Sequence, residues 1–316
     1  MARNARTGRG RNARQPQQEA QPAITLPDYP SIAFGSEEHQ DKFEVLATRR
    51  MAPTKCTSVS TLEALGIEKE VHNIFTVLGL EGLYNLEEIS YHNLTLEFLS
   101  SFTYDKETHN VSFRLNNTPF NLGSDAFADH LWVGKRVVGH HDKVEKDMKA
   151  SKYYHLYTSK EKVSVSNMKT SDIEHSVLKI FLRSLTNLLY GRKDPSKLNS
   201  TEVLILSSYL NPRHESRFHF NVVSLVCLAL GRMTESDQCS LDCGALVTRL
   251  AKNLLAYEPG AVDAPMSKKV VYFDLDWLRA QSWIVDGEED DIYSWRVDDE
   301  WYMKLPASEI YPRLPL

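Results

Sequence analysis

Cysteine is scarce in this sequence, with four residues among 316, too few for a disulfide scaffold. Long apolar runs are missing as well. The longest, 222–230, is interrupted by Ser224 and falls far short of the ~20 residues that cross a bilayer. Residues 1–14 hold no acid and no apolar block, so nothing there has the charged-then-apolar order of a secretory signal. These absences exclude the secreted and membrane classes. They lead to the expectation of an intracellular chain, nuclear or cytoplasmic, with reduced thiols and no membrane partner. No repeat with a period of ~20–50 residues is visible, which excludes solenoids and propellers.

Catalytic signatures are equally thin. There is no Gly-x-Ser-x-Gly elbow, no glycine-rich phosphate loop and no nucleophile, base and orienter at readable spacing. Asp274 and Asp276 resemble a carboxylate pair for magnesium, but no third carboxylate accompanies them, and a solvated strand edge accounts for them. Cys239 and Cys243, near His214 and His219, lack the second ligand pair that zinc sites use, and read as buried thiols. Cys56 and Cys227 read as core. The neighbours His140 and His141 point different ways on either a helix or a strand. The acidic run 285–292 lacks the alternating oxygen ligands of a calcium loop. Catalytic, metal-ligating and cofactor-binding residues are therefore all expected to be none, and no small-molecule substrate is expected.

What is present is ordinary globular usage, 42% hydrophobic and 25% charged, enough for a core that needs no staples. The net charge of −5 conceals two opposite ends. Arg3, Arg6, Arg9, Arg11 and Arg14 give residues 1–14 a charge of +5. Residues 274–300 hold ten acids against two arginines, a charge of −8. The basic end, rich in Gly, Asn and Ala, cannot bury enough apolar surface to order itself. A free arginine arm suits phosphate contacts to RNA or DNA, so these five arginines are the expected nucleic-acid-binding residues. Tyr153, Tyr154 and Tyr157 beside lysines could stack on single-stranded bases, although tyrosines covering a helix face are the commoner arrangement.

The chain divides by composition into five parts: a disordered basic arm at 1–33, a helical unit with a β-hairpin at 34–133, a lysine-rich polar linker at 134–170, a helical bundle at 171–258 and an acidic, aromatic-rich region at 259–316. In the first unit, Ser36 before Glu37 and Glu38 predicts an N-cap and a helix to about Arg50. Ser60 and Glu63 stand at capping-box spacing, with Gly66 closing that short helix. Val71, Ile74, Phe75 and Leu78 mark a helical face that Gly79 stops. A short helix is expected over 94–102. Val111, Phe113 and Leu115 alternate, as do Phe120 and Leu122, with Asn116-Asn117 between them as a hairpin turn; a helix over 124–131 follows. In the second unit, Val177, Phe181, Leu185 and Leu188 form a wide apolar face that Gly191 ends. Asn199 and Glu202 open a helix through Leu210, and helices near 219–231 and 240–256 complete the bundle. One strand is expected at 270–275. The fold class is mainly α with a short β-hairpin, two helical units joined by a polar linker.

Ordered stretches carry a family resemblance. They are residues 43–54 (FEVLATRRMAPT), 61–67 (TLEALGI), 94–102 (LTLEFLSSF), 111–115 (VSFRL), Phe127-Ala128, 173–183 (IEHSVLKIFLR), 187–192 (NLLYGR), 201–204 (TEVL) and 243–248 (CGALVT). Over about 34–256 the chain resembles the Athila group of plant gypsy-class retrotransposon proteins, the gag-like first-open-reading-frame product. The unit at 111–131 is distantly similar to plant mobile domains. Where that family tends to run Phe-Ala-x-x-Leu-Gly-Phe-Pro, this chain has Phe127-Ala-Asp-His-Leu-Trp-Val-Gly134. It also carries no zinc knuckle, protease or polymerase signature. The resemblance implies a non-enzymatic structural protein that self-associates and holds RNA. A nuclear DNA- or chromatin-associated adaptor of plant-mobile-domain type is the alternative.

Overall fold

Ser36, extended at φ −161°, accepts the amide of His39 on its hydroxyl and opens the helix α1 (Glu37–Ala47). The structure, a computed structural model, describes residues 32–84, 86–137, 140, 167–173, 175–192, 196–210, 220–237, 239–256, 265–267, 269–287, 293–296 and 302–305. The arginine arm and most of the 134–170 segment thus lie outside the described residues. Helix α1 ends at Ala47, short of the expected Arg50, with Thr48 as its C-cap.

A short strand that the sequence pattern did not reveal, β1 (Lys55–Thr57), comes next. It sets the start of α2 (Val59–Ala64): the cap is Ser58, which accepts the Thr61 amide at 3.2 Å, and not the expected Ser60. Leaving a strand at Thr57 makes Ser58 the last extended residue, and an N-cap must be extended. Helix α3 (Glu68–Val77) buries Val71, Ile74 and Phe75 as predicted, and Gly66 and Gly79 take positive φ at the two breaks. After α4 (Glu81–Tyr84) and α5 (His92–Ser101), a three-stranded antiparallel sheet forms from β2 (Thr103–Asp105), β3 (Asn110–Leu115) and β4 (Thr118–Gly123). Its central hairpin is the predicted one. Leu115 pairs with Thr118, and Asn116 and Asn117 both have positive φ, as a two-residue turn matched to the strand twist requires. Strand β2 is an addition to it. Helix α6 (Ser124–Leu131) follows directly.

Helix α7 (Ser176–Leu185) carries the wide apolar face and runs on through a π-helical turn at 186–190 to Gly191, which is left-handed. Helix α8 (Ser200–Leu210) opens on a reciprocal cap: Asn199 Oδ1 accepts the Glu202 amide and Glu202 Oε2 accepts the Asn199 amide, both at 2.9 Å. Helices α9 (Val222–Glu235) and α10 (Gly244–Asn253) complete this part.

The helices of 34–133 and 171–258 fill one core instead of two joined by a linker. Helix α5 packs on α9 and α10, α6 on the same two, and α3 on α7. Phe75 of α3 meets Phe181 of α7 edge-on at 4.9 Å between centroids. Polar clasps cross the same boundary: Arg49 donates to the carbonyls of Thr234, Ser236 and Cys239, and Arg249 donates to that of Gly82. Each of these carbonyls would otherwise be costly to bury.

The described part of the acidic region belongs to that core too. Strand β5 (Val271–Phe273) pairs in parallel with β1, Lys55 opposite Val271 and Thr57 opposite Phe273. The expected strand stops there because Asp274 caps α11 (Leu275–Ala280), accepting the Trp277 amide at 2.8 Å. Strands β6 (Ile284–Asp286), β7 (Tyr293–Arg296) and β8 (Tyr302–Leu305) form an antiparallel sheet. Trp277, Trp283 and Trp295 meet edge-to-face in a row, and α7 lays cations on them: Lys179 over Trp283 and Trp295, Arg183 over Trp277. Among the described residues there are eleven α-helices and eight short strands, and no helix is long and apolar enough to cross a membrane.

Candidate functional site

Arg3, Arg6, Arg9, Arg11 and Arg14 lie outside the described residues. Residues 32 and 33, the described end of the segment expected as a disordered arm, lead into the fold, and Ala33 is tied to the hairpin turn. Ala33 donates its amide to Asn117 Oδ1 at 2.7 Å, while Arg114 Nη2 donates to the carbonyls of Ala33 and Asn117. Glu97, only 3% exposed, supports the turn from below by accepting the Asn117 amide at 2.7 Å, with Arg114 Nε 4.0 Å away. Burial raises the Glu97 pKa, against the pull of these hydrogen bonds and of Arg114.

Beside this turn, an open groove of about 310 Å³ runs between the start of α1, the end of α5 and the sheet β2-β3-β4. Among the described residues, Lys42 and Arg114 are the cations that line it and Glu38 the acid. Lys42 Nζ donates to the Phe102 carbonyl at 3.3 Å. Burial lowers the Lys42 pKa, while Glu235 and Glu38 act to raise it.

His39 stiffens one wall. Its Nδ1 accepts the Gly35 amide at 3.2 Å, so Nε2 carries the proton and donates to Ser100 Oγ at 3.0 Å. Burial lowers the His39 pKa, and the charges of Arg114 and Lys42 lower it further. The imidazole is therefore a neutral strut at physiological pH. On the core-facing side of the sheet the half-buried Phe120 stacks on its cross-strand partner Phe113, with centroids 5.5 Å apart and planes inclined at 17°. Thr103 and Ser112, paired across β2 and β3, add two hydroxyls. The groove thus sets two cations, both hydrogen-bonded to backbone carbonyls, among hydroxyl groups, with Glu38 in its lining and Glu235 acting on Lys42. The Ser100 hydroxyl lies beside the His39 imidazole, whose Nε2 holds the proton and so donates to it.

The residues that the sequence offered as chemistry are occupied by structure. Cys56, Cys227 and Cys243 are buried free thiols, and Cys239 is half-buried. Burial pushes the Cys56 and Cys243 thiols up to about 12 and the Cys227 thiol up as well, away from the reactive thiolate. His140 Nδ1 approaches the Phe220 carbonyl at 3.4 Å, and its own carbonyl accepts from Asn221. Asp274 is a helix cap, not a strand edge, and Asp276 pairs with Arg279 at 2.8 Å. Among the described residues no cluster of three or more His, Cys, Asp or Glu is placed to hold a metal ion. His141, His214, His219, Tyr153, Tyr154 and Tyr157 lie outside the described residues.

The groove itself went unnoticed in the sequence. The alternation that sends Phe113 inward leaves Arg114 on the other face of β3, but nothing local shows that α1 brings Lys42 to the same place. Residues 36–212 match the model of the ATHILA ORF-1 family, a span that runs from the cap of α1 through α8 and takes in both cations and Phe120. No curated protein and no solved structure matches the chain.

Proposed function

The chain belongs to the ATHILA ORF-1 family of retrotransposon proteins, and from that premise we propose that it is a non-enzymatic, gag-like structural protein. In this reading it self-associates and holds RNA through Arg3, Arg6, Arg9, Arg11 and Arg14. The observation that carries the reading is the family match over 36–212, more than half of the chain. The arm supports it with five positive charges and no acid in fourteen residues. Its phosphate contacts would be independent of base sequence and weakened by salt.

Light scattering after size exclusion tests the proposal, with and without a ~50-nucleotide RNA, at low and high salt. Growth into large particles on adding RNA, reduced by deleting residues 1–14, is the expected result. A monomer indifferent to RNA overturns the reading. A monomer that prefers duplex DNA would favour the chromatin-adaptor alternative.

A further inference from the structure

We propose that His39 is an acid-sensitive latch: a proton added to its imidazole frees residues 33–35, the joint by which the arginine-rich segment enters the fold. The inference goes beyond the RNA reading above and does not depend on what the arginines bind.

Hydrogen bonding fixes the state of the ring. Nδ1 accepts the Gly35 amide at 3.2 Å. Ser100 Oγ gives its own proton to the Glu97 carbonyl at 3.1 Å, so it accepts the proton of Nε2 at 3.0 Å. A single neutral tautomer satisfies both contacts. The imidazolium carries a proton on Nδ1 as well, and that proton would face the Gly35 N–H, donor against donor. The bond to Ser100 survives this change, and the bond to Gly35 does not.

The rest of the joint responds to the same charge. Ala33 donates to Asn117 Oδ1 and accepts from Arg114. Arg114 stands near enough to disfavour a charge on His39, so a protonated ring would repel the side chain that holds Ala33. Phe34 packs on the rings of His39 and Phe43, with centroids 5.3 and 5.2 Å away, and lies between the two residues that are released.

The charged groups around the imidazole are Lys42 and Glu38 on α1, Arg114 on β3 and Glu97 on α5. Burial acts on it most strongly, followed by Arg114 and then Lys42, and all three disfavour the cation. An opened joint lets water reach the ring, which then returns toward its ordinary pKa of 6.5. The open form thus binds a proton more tightly than the closed one. By linkage the latch stays shut above pH 6.5 and is driven open below it, by up to about tenfold for each pH unit.

Amide hydrogen exchange of the full, 15N-labelled chain is the test, read by NMR as protection factors so that the intrinsic pH dependence of exchange is removed. Protection of the Ala33 and Gly35 amides should fall about tenfold between about pH 7.5 and about pH 5.5, while amides within α1 and α5 keep theirs. The side chain introduced by His39→Gln can accept from Gly35 and donate to Ser100 without titrating. In that variant the same two amides should hold one level of protection throughout.

Gly35 protection that stays constant across this range overturns the latch, and so does an equal fall in His39→Gln. A fall shared by α1 and α5 also overturns it, since acid would then be loosening the fold as a whole. If His39→Gln does not fold, the parent chain still decides the matter by where its protection is lost.

Discussion

The amide of Gly82 donates to the carbonyl of Trp132 at 2.9 Å. The approach is so close that a Cβ at position 82 would stand 2.1 Å from the Leu131 carbonyl oxygen and 2.6 Å from that of Trp132. Arg249 closes the same junction, donating to the Gly82 carbonyl while its guanidinium sits 5.0 Å from the centroid of the Trp132 ring. Helix α4, the end of α6 and helix α10 therefore meet at a point where only glycine fits.

Gly82→Ala should cost about 3 kcal/mol, because the atoms in the way are backbone and cannot rotate aside. Urea denaturation would show a lower midpoint with an unchanged slope. A loss below about 0.5 kcal/mol would mean that this junction opens without consequence.

The buried pair Arg192 and Glu202 makes a second prediction. Arg192 Nη2 lies 2.6 and 2.9 Å from the two carboxylate oxygens, Thr186 donates to the same carboxylate, and Glu202 has no exposed surface. Burial raises the Glu202 pKa, and Arg192 is the largest influence opposing it. Arg192→Ala should cost about 3–5 kcal/mol by stranding a charge. The deficit should shrink from about pH 7 to about pH 5, since a carboxyl whose folded pKa lies above its unfolded value favours the fold at lower pH. A deficit that does not depend on pH would show that the carboxylate finds another partner.

The tryptophan row predicts coupling between α7 and the acidic region. Trp295 is fully buried, and Lys179 lies 5.5 Å from the centroid of Trp283 and 5.6 Å from that of Trp295. Trp295→Ala should cost about 3–5 kcal/mol. A double-mutant cycle between Lys179→Met and Trp283→Leu should return about 1 kcal/mol of coupling. Additive losses would reduce the Lys179 contact to simple packing.

His175, at the start of α7, sets a pH limit. Burial lowers its pKa from 6.5 to about 4, so the folded state keeps it neutral while the unfolded chain takes up a proton. Stability is then full above about pH 6.5 and falls as the pH drops toward 4, by up to about 3 kcal/mol. Buried carboxyls such as Glu97 and Asp242, whose pKa values burial raises, act in the opposite sense, so the contrast with His175→Leu isolates the histidine. Chemical denaturation across this range should give a flatter profile for His175→Leu than for the parent; parallel profiles would remove His175 as the cause.

Features whose hydrogen bonds close within a few residues can be read from the sequence alone. Ser36 capping α1, the Asn199–Glu202 box, the Asn116-Asn117 turn and the apolar face of α7 are of this kind. In each case the donor and acceptor, or the packed side chains, lie within one or two turns, and their spacing is the signal. The same locality explains the one misplaced cap. Ser58 and Ser60 both precede α2, and the choice between them depends on β1, a strand that exists because residues 271–273 pair with it from more than two hundred positions away.

By itself, then, the sequence determined a mainly helical chain with one hairpin, the caps that open α1 and α8, the glycines that close α2, α3 and α7, the arginine-rich segment and the family to which the chain belongs. Tertiary structure alone decided that the helices on both sides of the lysine-rich segment share one core. It also decided that the acidic region docks through tryptophans onto Lys179 and Arg183, and that Lys42, Arg114 and Phe120 border one groove. The physical reason is that backbone spacing enforces local contacts, whereas contacts between distant segments depend on how whole faces pack, and no spacing along the chain records that.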